Sequence, residues 1–511
     1  MRPGTLGRLA LAGTRTDAVR VVLTALSAAL AALAGLAALT VLAIPTPPAT
    51  DDNEVRWSLQ YATALLREPG LRGGTAFALL LLALPVLALA GQCARLGAPA
   101  RDRRLAALRL AGATPGQVTR LAALETGVAS LLGTVGGLVV FLVAHELLDR
   151  PGADGRLALP TDVLPSPVAL AATVLGLPAV AAVATALLLR RVVTTPFGVV
   201  RRARRDRPPR PWFALLVPAG VGSFAGYFPL LHWLERHEVQ ALLPYLPILV
   251  AVGGLAALVG TVLAAGWFSY AAGRLLHRLA QGPAALLAAR RLAADPWAGS
   301  RTFAALLAAV LFGGGAAAFR AHFQARYAAE LAEARTFGDV TSAGDTFYLD
   351  TIGLVDLAVA AAVTIAAGGL LVALVEGIVA RRRAYAALVA QGVPRGVLGR
   401  SVAWQALAPA VPAVLLALTV GLLLGRFLSG PVRTGGSGYV CEAAAAICAD
   451  PAARGPYLRL VEAPERYVMP GVPLEQLALV GAGAVAAVAL TVAVGLLFLQ
   501  ASTTVEELRA T

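Results

Sequence analysis

Long apolar stretches recur along this chain, and short polar segments separate them. Ten stretches reach or approach the roughly 20 residues that cross a bilayer as a helix, and none carries a charged residue in its middle. They occupy residues 21–44, 74–94, 122–145, 167–189, 212–231, 242–267, 302–319, 355–375, 404–425 and 477–499. Because a backbone in lipid must satisfy its own hydrogen bonds, this pattern predicts an all-α, polytopic membrane protein with about ten transmembrane helices.

The charged residues are divided unevenly between the two sides that these spans define. With the N-terminus on the inner side, the inner segments hold 29 arginines and 8 acidic residues, whereas the remainder of the chain holds 14 and 21. Positive charge accumulates on the cytoplasmic side of membrane proteins. We therefore expect a multi-pass protein with both termini in the cytoplasm, whose net charge of +14 reflects topology and not nucleic-acid binding.

The composition excludes a soluble globular enzyme, because 58% of the 511 residues are hydrophobic and only 14% are charged. All 43 basic residues are arginine, and the chain contains no lysine. A nucleotide-binding P-loop needs a lysine on the phosphates. We therefore expect no cofactor and no catalytic residue in this chain, so that any ATP and Mg²⁺ are bound by a partner.

Two histidine-containing segments have the residue types of metal sites. His145, Glu146 and Asp149 have the spacing of a zinc-protease helix with aspartate in the last place, but they close a span and lead into a proline-rich loop. The other segment is one short loop in which we expect solvated side chains: His232, Glu235, His237 and Glu238. We assign no metal site.

An internal duplication organises the chain. Residues 101–125 align without gaps with residues 381–405, and nine of the 25 positions are identical. Both copies lie between the second and third spans of a four-span unit, so the two units are parallel repeats. This predicts a first repeat at 1–190, a basic linker with spans five and six at 191–283, and a second repeat at 284–511.

Each copy lies in a loop, 95–121 or 380–401, that is typical of a short amphipathic helix followed by a glycine turn at Gly112 or Gly392. Leu105, Leu108 and Gly112 share one helix face, and arginines lie largely off it. Such a helix could present an apolar ridge to a protein partner or lie as a basic loop on anionic membrane lipid. The physical pattern alone does not favour either.

The stretch Arg103–Thr114, a basic cluster followed by L-A-x-L-R-x-x-G-A-[ST], resembles the FtsX-like permeases of the MacB class of ABC transporters, in the ten-span form. The resemblance implies a bacterial plasma-membrane permease whose loops dock on two copies of a separate cytoplasmic ABC ATPase. The docking residues that it implies are Arg103, Arg104, Leu105, Leu108, Arg109 and Gly112 in the first loop, and Arg383, Leu388, Gly392 and Arg395 in the second.

The chain departs from the family pattern at two places. The family usually has glutamate eight residues before the glycine, where this chain has Arg104 and Ala384. The second copy also has Val389 where the first has Arg109. We therefore expect the two docking sites to be unequal.

Cys441 and Cys448 lie in the largest loop predicted on the outer side, 429–474. Disulfides persist in oxidising surroundings, so we predict a bridge between them. On one helix these residues would lie about 10 Å apart along the axis, too far for a bridge, so bridging requires a turn within 442–447. The alternative is two free thiols on a helix.

The uncharged spans argue against secondary transport of an ion or polar solute, and their glycine-rich stretches permit close helix packing. Together with the resemblance, these features favour mechanotransmission, in which a partner ATPase drives export or extraction of a hydrophobic, lipid-like or peptide compound. An alternative is a signalling module that acts on a sensor kinase or an envelope hydrolase. The outer loops do not separate these two hypotheses.

Overall fold

A computed structural model describes residues 15–46, 57–76, 78–80, 86, 110–193, 210–337, 347–379, 381–448 and 453–502. Its long helices coincide with predicted spans one, three, four, six, seven, eight, nine and ten. In that order they are Arg15–Ala43, Pro115–Leu147, Pro167–Val193, Leu246–Leu279, Pro296–Phe337, Phe347–Val379, Arg395–Ser429 and Leu474–Ser502. Shorter helices lie at Ala64–Arg67, Pro283–Ala294, Arg382–Ala390 and Ala445–Cys448, with 3₁₀ turns at Gln240–Tyr245 and Gly455–Tyr457.

The prediction of an all-α polytopic membrane protein is confirmed. In the described part of the chain, eight helices are long and apolar enough to cross a membrane, and a bent helix pair raises the number to nine. Predicted span two, 74–94, falls mostly outside the described residues. The described parts of the two predicted docking loops, 110–121 and 381–401, lead into the first turns of spans three and nine, and we call this the docking end of each repeat. We call the opposite end of each repeat the ribbon end, after the two-stranded β-ribbon between spans nine and ten.

Span five differs from the straight helix that the sequence predicts over 212–231. It consists of Phe213–Ala225 and Tyr227–Arg236, which meet at Gly226 with a bend of 46°. The second helix buries Leu234 and exposes both the apolar ring of Trp233 and a polar flank with Arg236. A helix with separate protein-facing, apolar and polar sides suits a membrane interface better than a continuous span.

In the first repeat, spans one and three pack closely enough to leave no room for a side chain. A Cβ atom at Gly133 would overlap the carbonyl oxygen of Ala25, and one at Gly137 would lie 2.8 Å from that of Ala29. The hydroxyl of Thr134 donates a hydrogen bond of 2.9 Å to the carbonyl of Val174 on span four. Small residues thus bring spans one, three and four together.

In the second repeat, spans seven and nine form the equivalent close pair. A Cβ atom at Gly421 would overlap the carbonyl oxygen of Leu311, and one at Gly425 would lie 2.8 Å from that of Gly315. The largest buried cluster surrounds this pair and includes side chains of spans five, six, eight and ten, among them Ala257, Ala366 and Val488.

The two repeats place their closest helix approach at different depths. Under the 280-residue offset, Gly133 and Gly137 correspond to Ala413 and Ala417, which are fully buried. The overlap at Gly421 lies eight residues further along, about two helical turns. The repeats therefore share their helix pairing but differ in where the two backbones touch.

The ribbon end of the first repeat is closed by buried polar residues. Arg72 is 4% exposed and donates hydrogen bonds to the carbonyls of Ile44, Pro45 and Leu66 and to the hydroxyl of Ser58. Because all these bonds are made inside the fold, the buried guanidinium is compensated and joins three chain segments.

Tyr61, in the same region, is fully buried and its hydroxyl donates a 2.7 Å hydrogen bond to Asp162. Burial, followed by the bond to Asp162, raises the pKa of Tyr61. The phenol therefore remains a neutral donor and ties the segment after span one to the segment before span four.

A two-stranded antiparallel ribbon lies between spans nine and ten, and the sequence pattern did not predict it. Strand β1, Val432–Cys441, pairs with strand β2, Leu458–Val468, and a bulge interrupts the register near Gly435. The helix of span seven continues past its apolar stretch to Phe337, and its Glu333 accepts a 2.8 Å hydrogen bond from the backbone N–H of Gly435. The extended helix thus supports the ribbon.

We expect Gly133→Val to destabilise the first repeat by about 1–3 kcal/mol or more, because the new side chain cannot fit against span one. Gly136→Val is the matched control: it lies in the same helix, is exposed, and has nothing within 4 Å of a Cβ atom. Thermal unfolding of the detergent-purified variants measures the difference. Equal midpoints for the two variants would contradict the packing described above.

Candidate functional site

The two predicted docking loops contain the same backbone turn. Gly112 has a φ of +91° and Gly392 a φ of +90°, a conformation that residues with a Cβ atom rarely adopt. In each loop this glycine ends a helix, and the helix of span three or span nine begins within the next three residues. The structure thus gives the aligned glycines a shared physical role as helix-terminating residues.

Most of the first docking segment lies outside the described residues, namely Arg103, Arg104, Leu105, Leu108 and Arg109. Their docking role stays a prediction. The described part begins at Leu110, whose apolar side chain is 92% exposed beside the Gly112 turn. The sequence pattern does not distinguish Leu110 from its apolar neighbours, because only the three-dimensional structure shows that its side chain faces solvent.

The helix after the first turn is capped by side chains. The hydroxyl of Thr114 accepts a hydrogen bond from the backbone N–H of Gln117, and the Gln117 side chain accepts one from the N–H of Thr114. This reciprocal pair is a capping box that satisfies two helix-end donors. Pro394 occupies the corresponding place in the second loop without a side-chain cap.

The backbone of the second docking helix, Arg382–Ala390, is described along its whole length and ends in a Schellman motif. The side chain of Arg383, a predicted docking residue, lies outside the described part. The N–H of Val393 donates to the carbonyl of Leu388 at 3.0 Å, and the N–H of Gly392 donates to that of Val389 at 2.9 Å. The positive φ of Gly392 makes this double closure possible. The motif fixes the direction in which the chain enters span nine.

One face of the second docking helix packs on the permease's own helices. Tyr385 forms a small core with Ile378 and Leu398, and Leu388 and Val389 pack against it. Leu388, predicted as a docking residue, is therefore partly buried in the chain's own packing. The face left exposed includes Ala384, Ala387 and Gln391, followed by Gly392 and Arg395.

A polar contact attaches the same helix to the amphipathic helix Pro283–Ala294. The guanidinium of Arg291 donates a 2.6 Å hydrogen bond to the hydroxyl of Tyr385, and its carbon lies 5.8 Å from the centre of the Tyr385 ring. The sequence pattern does not reveal this pair, because the two residues are 94 positions apart in the chain. The feature of the sequence that could have indicated this contact is Tyr385 itself, a polar aromatic residue at the position where the first copy has Leu105.

The histidine-containing segments have partners of their own. The Nδ1 atoms of His232 and His237 lie 2.7 and 2.8 Å from backbone carbonyl oxygens one turn earlier. Asp149 accepts a 2.8 Å hydrogen bond from the hydroxyl of Thr161. Among the described residues, no group of three or more potential ligands could hold a metal ion.

Cys441 ends strand β1, and Cys448 ends the short helix Ala445–Cys448. The two residues form a disulfide in the structure, with their Cα atoms 5.8 Å apart. Residues 442–444 turn the chain between the strand and the helix, so the cysteines do not share one helix. The bridge closes a loop next to the end of the ribbon.

Two parts of the chain, residues 75–197 and 357–441, match the family described as FtsX-like permease C-terminal. These parts of the chain are two FtsX-like permease domains. Comparison with curated proteins found no match, and comparison with solved structures found none. The two matched parts begin 282 residues apart, close to the 280-residue offset of the internal alignment, and each contains one docking loop. This FtsX-like permease is accordingly a multi-pass membrane protein with two copies of the family domain.

We expect Gly392→Ala to destabilise the permease by about 1–2 kcal/mol, because alanine disfavours the left-handed conformation. Gly396→Ala is the matched control four residues away, where φ is not positive and nothing lies within 4 Å of a Cβ atom. Alanine in that helix should be neutral or slightly stabilising. Thermal unfolding of the two variants tests this, and a loss at Gly396 equal to that at Gly392 would refute it.

The pairing of Cys441 with Cys448 predicts that alkylation of the denatured chain without reductant labels Cys93 alone. Reduction before alkylation should add two further labels. Intact-mass analysis distinguishes these states. Three labels without reductant, on protein purified under non-reducing conditions, would contradict the pairing.

Proposed function

We propose that this FtsX-like permease is the membrane subunit of an ABC transporter and works by mechanotransmission. The observation that carries the proposal is the repeated docking turn, with φ values of +91° and +90° at equivalent positions of two family domains. Only glycine adopts this backbone geometry readily, and it occurs in the loop between the second and third spans of each repeat. Two such turns support two rigid docking elements for a pair of cytoplasmic ATPase subunits.

The exposed surfaces beside these turns support docking of a protein. Leu110 presents an almost fully exposed apolar side chain, and the second loop exposes Ala387 and Arg395. An isolated exposed leucine is unremarkable by itself. Leu110, however, lies two residues before the first glycine turn, and Arg395 lies three residues after the second. Each turn therefore has beside it an exposed side chain that a partner can cover.

The packing of the spans supports transmission of motion. Spans seven and nine touch backbone to backbone at Gly421, so they move together as a unit. Span nine begins directly after the second docking turn and ends at the ribbon. A displacement of the docking turn would therefore reach the opposite end of the bundle through one continuous helix of 35 residues.

The charges within the described spans support an export or extraction role that needs no polar path through the bundle. Arg320 on span seven pairs with Asp356 on span eight towards the ribbon end. Charges that are paired with each other near a span end do not form a relay across the membrane. The proposed cargo is a hydrophobic, lipid-like or peptide compound taken up at the outer face or from the outer leaflet.

This function predicts a complex of one permease with two ATPase subunits, because one chain supplies both docking loops. The purified permease alone should bind no ATP, since it has no lysine for a P-loop. Native mass spectrometry of the complex isolated from its own membranes, with photo-crosslinking to an azido-ATP, measures both. Two permeases per ATPase pair, or stoichiometric labelling of the permease itself, would refute the proposal.

A further inference from the structure

Among the described side chains, a polar contact holds the second docking helix against the rest of the chain in addition to its apolar face. The Arg291 guanidinium donates to the Tyr385 hydroxyl at 2.6 Å, and Tyr385 is only 7% exposed. A charged donor makes this a stronger bond than one between neutral groups. This hydrogen bond joins the docking helix to the amphipathic helix Pro283–Ala294.

The helix that carries Arg291 is itself tightly packed against span six. A Cβ atom at Gly273 of span six would lie 3.0 Å from the carbonyl oxygen of Ala289 and from the N atom of Ala293. Ala288 and Ala289 are fully or almost fully buried. With so little free space, this helix can pass a displacement on to span six without absorbing it.

The same helix is also coupled to span seven. It ends at Ala294, the helix of span seven begins at Pro296, and the N–H of Asp295 between them donates to the carbonyl of Arg291. Arg291 therefore lies one turn from the start of span seven, and its side chain reaches back to the docking helix. Through the helix that carries it, Arg291 thus links the docking helix to span six, by the packing at Gly273, and to span seven, by the continuity of the chain.

We propose that Arg291 and Tyr385 form the joint through which the second docking helix moves spans six and seven. This inference rests on the proposed function and adds a division of labour between the loops. The first loop has the fuller docking motif but has Leu105, which offers no hydroxyl, where the second has Tyr385. The first loop chiefly holds an ATPase, and the second chiefly transmits its motion.

The first experiment uses the permease alone in nanodiscs, so that it does not depend on an ATPase. A spin label is placed on the exposed position Ala387→Cys in a Cys93→Ser background, with the protein lacking Ala387→Cys as the blank. Tyr385→Phe and Arg291→Met should each raise label mobility, and the double variant should raise it no further. Unchanged mobility in both single variants would overturn the proposal.

The second experiment measures ATPase affinity and permease-stimulated ATP hydrolysis with the native partner. Tyr385→Phe should leave the affinity for the ATPase within about twofold and lower the stimulation of ATP hydrolysis about tenfold. A tenfold change corresponds to about 1.4 kcal/mol, which is about the net contribution of one hydrogen bond to a charged group. Arg291→Lys, which keeps a donor, should restore part of the stimulation that Arg291→Met loses. The control Tyr457→Phe, an exposed tyrosine of the ribbon segment, should change neither quantity.

The outcomes separate this inference from the proposed function. If Tyr385→Phe lowers ATPase affinity and stimulated hydrolysis equally, Tyr385 is a docking residue and the proposed joint is overturned. Full stimulation in Tyr385→Phe would also overturn it. If the unsubstituted permease binds no ATPase, the proposed function fails, and the mobility of the label still decides whether Arg291 and Tyr385 hold the docking helix.

Discussion

The close approach of two helix backbones in each repeat is the constraint on which the rest of this permease depends. Lipid provides no hydrophobic force that pushes apolar helices together, so their association relies on tight packing. Gly133 against Ala25 and Gly421 against Leu311 leave no space for even a methyl group. Each pair defines a rigid unit, and the docking loops and the ribbon are attached to its ends.

The docking end combines a shared geometry with unequal attachment. Gly112 and Gly392 make the same left-handed turn, although their surroundings differ. The helix after the first turn is held by the capping box of Thr114, whereas the second docking helix is held by its apolar face and by Arg291. In the proposed function, the ATPase pair would therefore act on two loops of one chain that are supported differently.

The ribbon end is also unequal. In the first repeat, Arg72 and Tyr61 close a compact cap through buried hydrogen bonds. In the second repeat, a β-ribbon rests on the extended helix of span seven and ends near a disulfide. In the proposed function, motion that begins in similar turns at the docking end would thus reach two different surfaces at the opposite end. The ribbon is one of these surfaces, and it has exposed aromatic side chains such as Tyr439 and Tyr467.

The sequence by itself determined eight of the predicted spans, the duplication and the family domain, because these depend on local composition and on residues that repeat at a fixed offset. Apolar length alone locates span nine, and the alignment alone pairs Gly112 with Gly392. The tertiary structure decided the bend at Gly226, the ribbon and the contact of Arg291 with Tyr385. A bend depends on which neighbours pack on each side of a helix, the strands pair across a loop with no clear alternation, and the polar contact joins residues 94 positions apart. The tertiary structure also decided the depth at which the paired helices come closest. A glycine in the sequence shows where two backbones are able to touch, but only the packing places this contact at Gly421 in the second repeat and at Gly133 in the first.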